Sequence, residues 1–224
     1  MSEHFLFGVF PYLALVVAIA GGLYRALRLR DTLTARSSQL LESRLQRPAA
    51  NAWHWAIVAI LLAHLFALVL PGPFAALLGS PARTYVLEVI GLALGLLAFC
   101  GVALLVVRRL VSLTHSTAFT DWLLLAALLV QAGTGVYTAF ALRFGSAWFL
   151  HTATPWLASI FTLQPELTRI HVLPLVVKIH FFNAFVLLAL LPLSRLMHVL
   201  TVPLPYLWRP PQIVSWRHPH PRLP

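Results

Sequence analysis

The chain has 224 residues, 60% of them hydrophobic and only 10% charged, with a mean hydropathy of +0.85. Soluble domains are about half apolar, so this composition excludes a soluble globular enzyme and implies an integral membrane protein. The formal net charge of +10 does not call for nucleic acid as a partner, because the basic residues fall beside apolar stretches, where they set membrane topology.

Stretches long enough to cross the hydrocarbon core as helices, about 20 residues each, are predicted over residues 5–24, 50–70, 85–107, 121–142 and 173–199. The expected fold class is an all-α integral membrane protein. One five-helix transmembrane domain fills residues 1–200, and a tail follows over 201–224. The opening MSEHFLFG carries no basic stretch ahead of the first span, so a retained first helix is expected rather than a removable signal.

Between the first and second spans, RALRLRDTLTARSSQLLESRLQRP has the length and mixed charge of a surface helix on the inner face. Residues 71–84 and 143–170 are predicted outer loops; the second is long and aromatic and is expected to lie along the interface as a lid. The one cysteine, Cys100, falls inside the third span. That leaves no disulfide pair, no CxxC metal knuckle and no CxxCH site for covalent haem. The tail is too rich in proline for a single helix, and Tyr206, Trp208 and Trp216 among its arginines suit docking across another protein's surface.

Twelve arginines share one side of the membrane if the spans alternate: Arg25, Arg28, Arg30, Arg36, Arg44, Arg47, Arg108, Arg109, Arg195, Arg209, Arg217 and Arg222. Only Arg83, Arg143, Arg169 and Lys178 fall on the other. The positive-inside rule then puts the N-terminus outside and the C-terminal tail in the cytoplasm.

Ionisable residues inside a membrane are rare and mark function. Of ten histidines, four sit in the spans: His54 and His64 in the second, His180 and His198 in the fifth. Alternating direction puts His54 and His198 toward the inner face and His64 and His180 toward the outer. Each helix then offers one imidazole per leaflet, the pattern that two stacked bis-histidine b-haems require. Depth pairs His64 with His180 on an outer haem iron and His54 with His198 on an inner one.

The spacings, ten and eighteen residues, correspond to about 15 Å and 27 Å of helix. Helix tilt and a kink at Pro192 are needed to reconcile them. Eighteen residues is about five turns, so His180 and His198 are expected on one face. The alternatives are histidines that hydrogen-bond across helices for packing, or a zinc or di-iron centre, for which Asp121 and Glu88 are poorly spaced. His4, His115, His151, His171, His218 and His220 fall in loops, termini or the interface and are read as non-ligands.

Several pieces, in order along nearly the whole chain, resemble one known family. They are FPY at 10–12, SSQLLE at 37–42, NAWH ending at His54, HLFALVLP from His64, RRL at 108–110, VQAGTG at 130–135, and KIHFFNAFVLLALLPLSRLMHV at 178–199. They are similar to the gamma subunit of membrane-bound respiratory nitrate reductases, a five-helix dihaem cytochrome b.

The resemblance implies two non-covalent b-type haems on His54, His198, His64 and His180. It also implies quinol oxidation beside the outer haem and delivery of electrons to an iron-sulfur (beta) subunit, then to a molybdenum (alpha) subunit that reduces nitrate, all at the prokaryotic cytoplasmic membrane. Arg83 and Glu88 become candidate quinol contacts, as donor and proton acceptor. Arg108, Arg109 and Arg195 become candidate partners of haem propionates, and Gly133 and Gly135 candidates for close approach of a porphyrin.

Two positions depart from the family pattern. Ala63 stands where glycine is common, and Arg83 where a lysine is expected, a change that alters hydrogen-bond geometry. Other functions remain open: a relay of the same fold serving a different oxidoreductase, and a haem-free membrane anchor or transporter.

Overall fold

The computed structural model describes residues 2–28, 46–111, 119–142 and 145–199. Five helices among them are long and apolar enough to cross a membrane: Phe5–Arg28, Pro48–Val69, Pro81–Val111, Phe119–Ala141 and Leu175–Leu193, here the first to fifth spans. The arm at 29–45, the segment holding His115 and the docking tail at 201–224 lie outside the described residues.

The spans pack side by side in the order second, third, fourth, fifth, first. Apolar side chains gain little by leaving lipid for protein, so helix contact in a membrane depends on small residues that let backbones approach. The second and third spans follow that rule. Buried Ala49, Trp53 and Ala56 face Ala98, Gly101 and Val102, and a methyl group on Gly101 would lie 2.8 Å from the Trp53 backbone nitrogen. The opposite faces carry exposed Leu61, Leu62, Leu104 and Val107, which suit lipid.

The third span is longer than the sequence suggests, beginning at Pro81 rather than near residue 85. Ser80 is its cap: its Oγ accepts the Arg83 backbone N–H at 3.4 Å, and Pro81 supplies a first helical position that needs no N–H. Arg83 therefore sits in a helical turn and not in a loop. Residues 71–84, read as a loop, also contain the short helix Pro71–Leu77.

The fifth span departs further from expectation. Its α-helix covers Leu175–Leu190, gives way to a 3-10 turn at Leu191–Leu193, and becomes extended at Ser194 before a second 3-10 segment, Arg195–Val199. Pro192 has no N–H to continue the ladder. Because the helix ends rather than kinks, the five-turn argument that put His180 and His198 on one face does not hold.

Between the fourth and fifth spans the expected lid is a packed cap. Helices Gly145–Trp148, Phe149–Ala153 and Thr154–Phe161 carry Ala153, Trp156 and Ile160 into a cluster with Phe7, Ile170, Leu173, Val177 and Phe181. Trp156 stacks parallel to Phe181 at 5.1 Å. Tyr12 of the first span donates its hydroxyl to the Ile160 carbonyl at 3.0 Å, so the cap is tied to the bundle by a polar contact as well as by apolar area.

Candidate functional site

The second span carries His54 and His64, and the fifth carries His180, with His198 in the 3-10 segment after it; the third and fourth spans pack between the second and the fifth. Imidazoles that reach across such a gap need a ring nitrogen free to act as donor, so the tautomer of each decides what it can hold.

His54 and His64 solve this locally. His54 Nδ1 lies 2.7 Å from the Ala50 carbonyl and His64 Nδ1 lies 2.8 Å from the Ile60 carbonyl. A carbonyl only accepts, so Nδ1 is the donor in both, and in the neutral ring Nε2 is then the nitrogen that carries the lone pair. Both rings project from the face of the span that is not buried against the third. Phe149 of the cap meets His64 edge-on, with ring centroids 4.8 Å apart.

His180, half-buried in the fifth span, is held from a neighbour instead. Its Nδ1 lies 3.0 Å from Thr134 Oγ1 and 3.1 Å from the Gln131 carbonyl, both on the fourth span. The Gln131 amide nitrogen faces His180 Nε2 at 3.2 Å, and Asn183 holds the other end of that amide by donating to Gln131 Oε1 at 2.7 Å and to the Ala127 carbonyl at 2.9 Å.

The inner pair is described only in part. His54 sits one residue beyond Trp53, at the contact with Gly101. The backbone of Arg195–Val199 carries His198 and Arg195, whose side chains lie outside the described residues.

The two glycines of VQAGTG face aromatic rings of the protein. A methyl group on Gly135 would lie 3.1 Å from His180 Cε1, and one on Gly133 would lie 3.4 Å from the Phe99 ring.

Arg83 lies at the N-terminal end of the third span, its Nε donating to Ser80 Oγ at 3.2 Å and its guanidinium against Gly79. A pocket lined by Leu78, Gly79, Pro81, Thr84 and Ala147 opens beside it. Glu88, farther along the span, accepts the Ser146 backbone N–H at 3.4 Å and so ties the third span to the cap. At the C-terminal end of the third span, Arg109 pairs with Asp121 at 3.1 Å and lies over the Trp122 ring at 5.4 Å, joining that span to the fourth. Arg108 beside it is half-buried.

A further polar group lies just ahead of the first span. Glu3 accepts from Lys178 Nζ at 2.7 Å and pairs with His171 Nδ1. The hydrogen bonds from Lys178 and His171 hold the Glu3 carboxyl below its usual range.

Sequence reasoning missed Gln131, Thr134 and Asn183. Their signal was available as polar side chains in otherwise apolar spans, where such groups bridge helices.

His54, His64 and His180 suit a porphyrin iron in that neutral imidazole Nε2 is the axial donor of b-type haems and each has its Nδ1 against an acceptor; at His180 the Gln131 amide, 3.2 Å from Nε2, must give way for iron to bind. Comparison with known proteins points the same way. A family model described as nitrate reductase gamma subunit matches residues 3–217. The nitrate reductase gamma chain of Bacillus subtilis (strain 168) is 32% identical over 215 residues, covering 93% of this chain and 96% of its own. The respiratory nitrate reductase 1 gamma chain of Escherichia coli (strain K12) is 29% identical, covering 96% of this chain and 97% of its own. A nitrate reductase-like protein, NarX, of Mycobacterium tuberculosis is 31% identical over 94% of this chain, which spans 33% of that longer protein.

Proposed function

Because the chain belongs to the nitrate reductase gamma subunit family, we propose that it is the subunit that oxidises quinol near the outer face and passes electrons inward to its partners. The observation that carries this reading is the arrangement of His64 and His180. They come from two spans that the third and fourth spans bridge, and each has Nδ1 bonded to an acceptor. In this reading His64 and His180 hold an outer b-haem and His54 and His198 an inner one. Bound there, the two haems supply one-electron transfer across the membrane.

The rest is positional. A quinol releases two protons with its two electrons. Oxidation at the outer end lets the protons leave outward while the electrons go inward, so charge is separated without a proton channel. Arg83 is the proposed donor to a quinol oxygen from the rim of the pocket, where its guanidinium has further N–H groups beyond the one given to Ser80. Glu88 is the proposed proton acceptor. Arg108 and Arg195 are proposed partners of the inner propionates; Arg109, already paired with Asp121, is the weaker candidate of the three.

We place the N-terminus outside and the C-terminal tail in the cytoplasm, where the tail docks on an iron-sulfur subunit and through it a molybdenum subunit. The host is the cytoplasmic membrane of a prokaryote. The test is anaerobic addition of a quinol analogue to membranes holding the complete complex. Rapid haem reduction in the natural protein, abolished in His64→Ala, is the expected result. Full quinol turnover in that variant would overturn the electron route.

A further inference from the structure

His180 differs from the other described ring histidines in where its Nδ1 proton goes. In His54 and His64 the acceptor is the carbonyl one turn back on the same helix. In His180 it is shared by two groups on the fourth span, Thr134 Oγ1 at 3.0 Å and the Gln131 carbonyl at 3.1 Å.

Thr134 is fixed for that task. Its hydroxyl lies 2.7 Å from the Val130 carbonyl and 3.2 Å from the Gln131 carbonyl. Both can only accept, so the hydroxyl proton is spent within its own helix. The lone pairs of Oγ1 are left for His180. Gly135 closes the arrangement from below, since any Cβ there would lie 3.1 Å from His180 Cε1. The ring has one tautomer and little freedom to turn.

Resting on the proposed haem reading above, we infer that Thr134 and the Gln131 carbonyl are positioning groups that set the ring plane of His180 and lower the reduction potential of the iron it binds. Donation from Nδ1–H makes Nε2 a stronger electron donor, which favours the ferric state. The Gln131 side chain acts in the opposite sense. Its amide, anchored by Asn183, directs a proton at Nε2 from 3.2 Å, so amide and iron compete for one lone pair.

The test is a redox titration of the purified complex with its natural partners, with low-spin haem EPR beside it. The outer haem is identified as the transition missing from His64→Ala. Thr134→Val is expected to raise the outer midpoint and shift its EPR signal while leaving the inner haem unchanged, and Thr134→Ser to restore both. Gln131→Leu, which keeps the carbonyl and removes the amide, is expected to retain the outer haem longer on dilution. If Thr134→Val fails to assemble, Thr134→Ala removes the same hydroxyl and carries the same expectation. Wild-type midpoints and EPR in the hydroxyl-deleted protein would overturn the inference while the haem reading stood. A natural complex with no outer haem would overturn both.

Discussion

Arg25 and Ser194, 169 residues apart in sequence, are joined by a hydrogen bond of 2.9 Å from the Arg25 guanidinium to the Ser194 carbonyl. The same Nη1 donates to the Pro192 carbonyl at 2.8 Å. Where the fifth span stops being an α-helix, its last carbonyls lose their partners in the helix ladder, and the first span supplies a cation to meet them. Gly21, one turn earlier, makes room for this, since a methyl group there would lie 2.8 Å from the Pro192 ring.

Arg25→Ala is therefore expected to destabilise the solubilised protein by about 1.5–3 kcal/mol, the range for one hydrogen bond to a charged group, since a single Nη1 serves both carbonyls. Thermal unfolding measures it. Arg25→Lys keeps the charge without the fork and is expected to recover only part. Because Arg195–Val199 follows directly, the proposed inner haem should change its EPR signal in Arg25→Ala and the outer one should not.

A substitution at Gly101 acts on the other side of the bundle. A Cβ there meets backbone, the Trp53 nitrogen at 2.8 Å and the Ala49 carbonyl at 3.1 Å, and backbone cannot rotate aside as a side chain can. Gly101→Ala should cost about 1–3 kcal/mol, the usual range for overpacking, by pushing the second span outward at the residue next to His54. Unfolding and haem quantitation on one sample check it; wild-type values for both would show that the contact is softer than its geometry.

The ion pair at Glu3 gives a pH dependence of definite sign. Lys178 and His171 hold the Glu3 carboxyl below its usual range, so its contribution to anchoring the N-terminal segment is complete above that range. It disappears as pH falls through the lowered value. Protection of the first helical turns against hydrogen exchange, taken relative to the intrinsic amide rate at each pH, should be flat from neutral pH down to mildly acidic pH and fall below it. Glu3→Gln should show the lower protection at every pH.

Leu163 has φ +60° and is largely exposed at the C-terminal end of Thr154–Phe161. Its N–H bonds to the Ile160 carbonyl at 3.1 Å, and the Gln164 N–H bonds to the Ser159 carbonyl at 3.0 Å. This is the left-handed helix termination that glycine fills without strain. Leu163→Gly should stabilise the cap by about 1 kcal/mol, since the left-handed conformation costs other residues roughly 1–2 kcal/mol. A raised melting temperature, with the cap more resistant to protease, is the expected readout.

Periodicity and hydropathy disclosed much of this architecture because five apolar stretches leave few ways to cross a membrane. The spans at 5–24 and 121–142 came within a few residues of the observed helices. What stayed hidden depended on contacts between distant residues. Nothing local to Pro192 says that Arg25 will meet its carbonyl, and nothing in VQAGTG distinguishes a glycine lying under a histidine ring from one that faces a cofactor. The start of the third span could have been found, because Ser80–Pro81 is a recognisable cap; hydropathy overlooked it because Arg83 and Glu88 depress the first turns. The histidines stood out as ionisable groups in oil, while Gln131, Thr134 and Asn183, equally polar but uncharged, drew no attention until the packing placed them around His180.

The most direct test of the central claim is haem quantitation by pyridine haemochrome, with a reduced-minus-oxidised spectrum, on the chain purified with its natural partners. The account predicts two low-spin b-type haems per chain, with the outer one lost in His64→Ala or His180→Ala and the inner one in His54→Ala or His198→Ala. No haem, or a single haem whose loss follows neither pair, would contradict it.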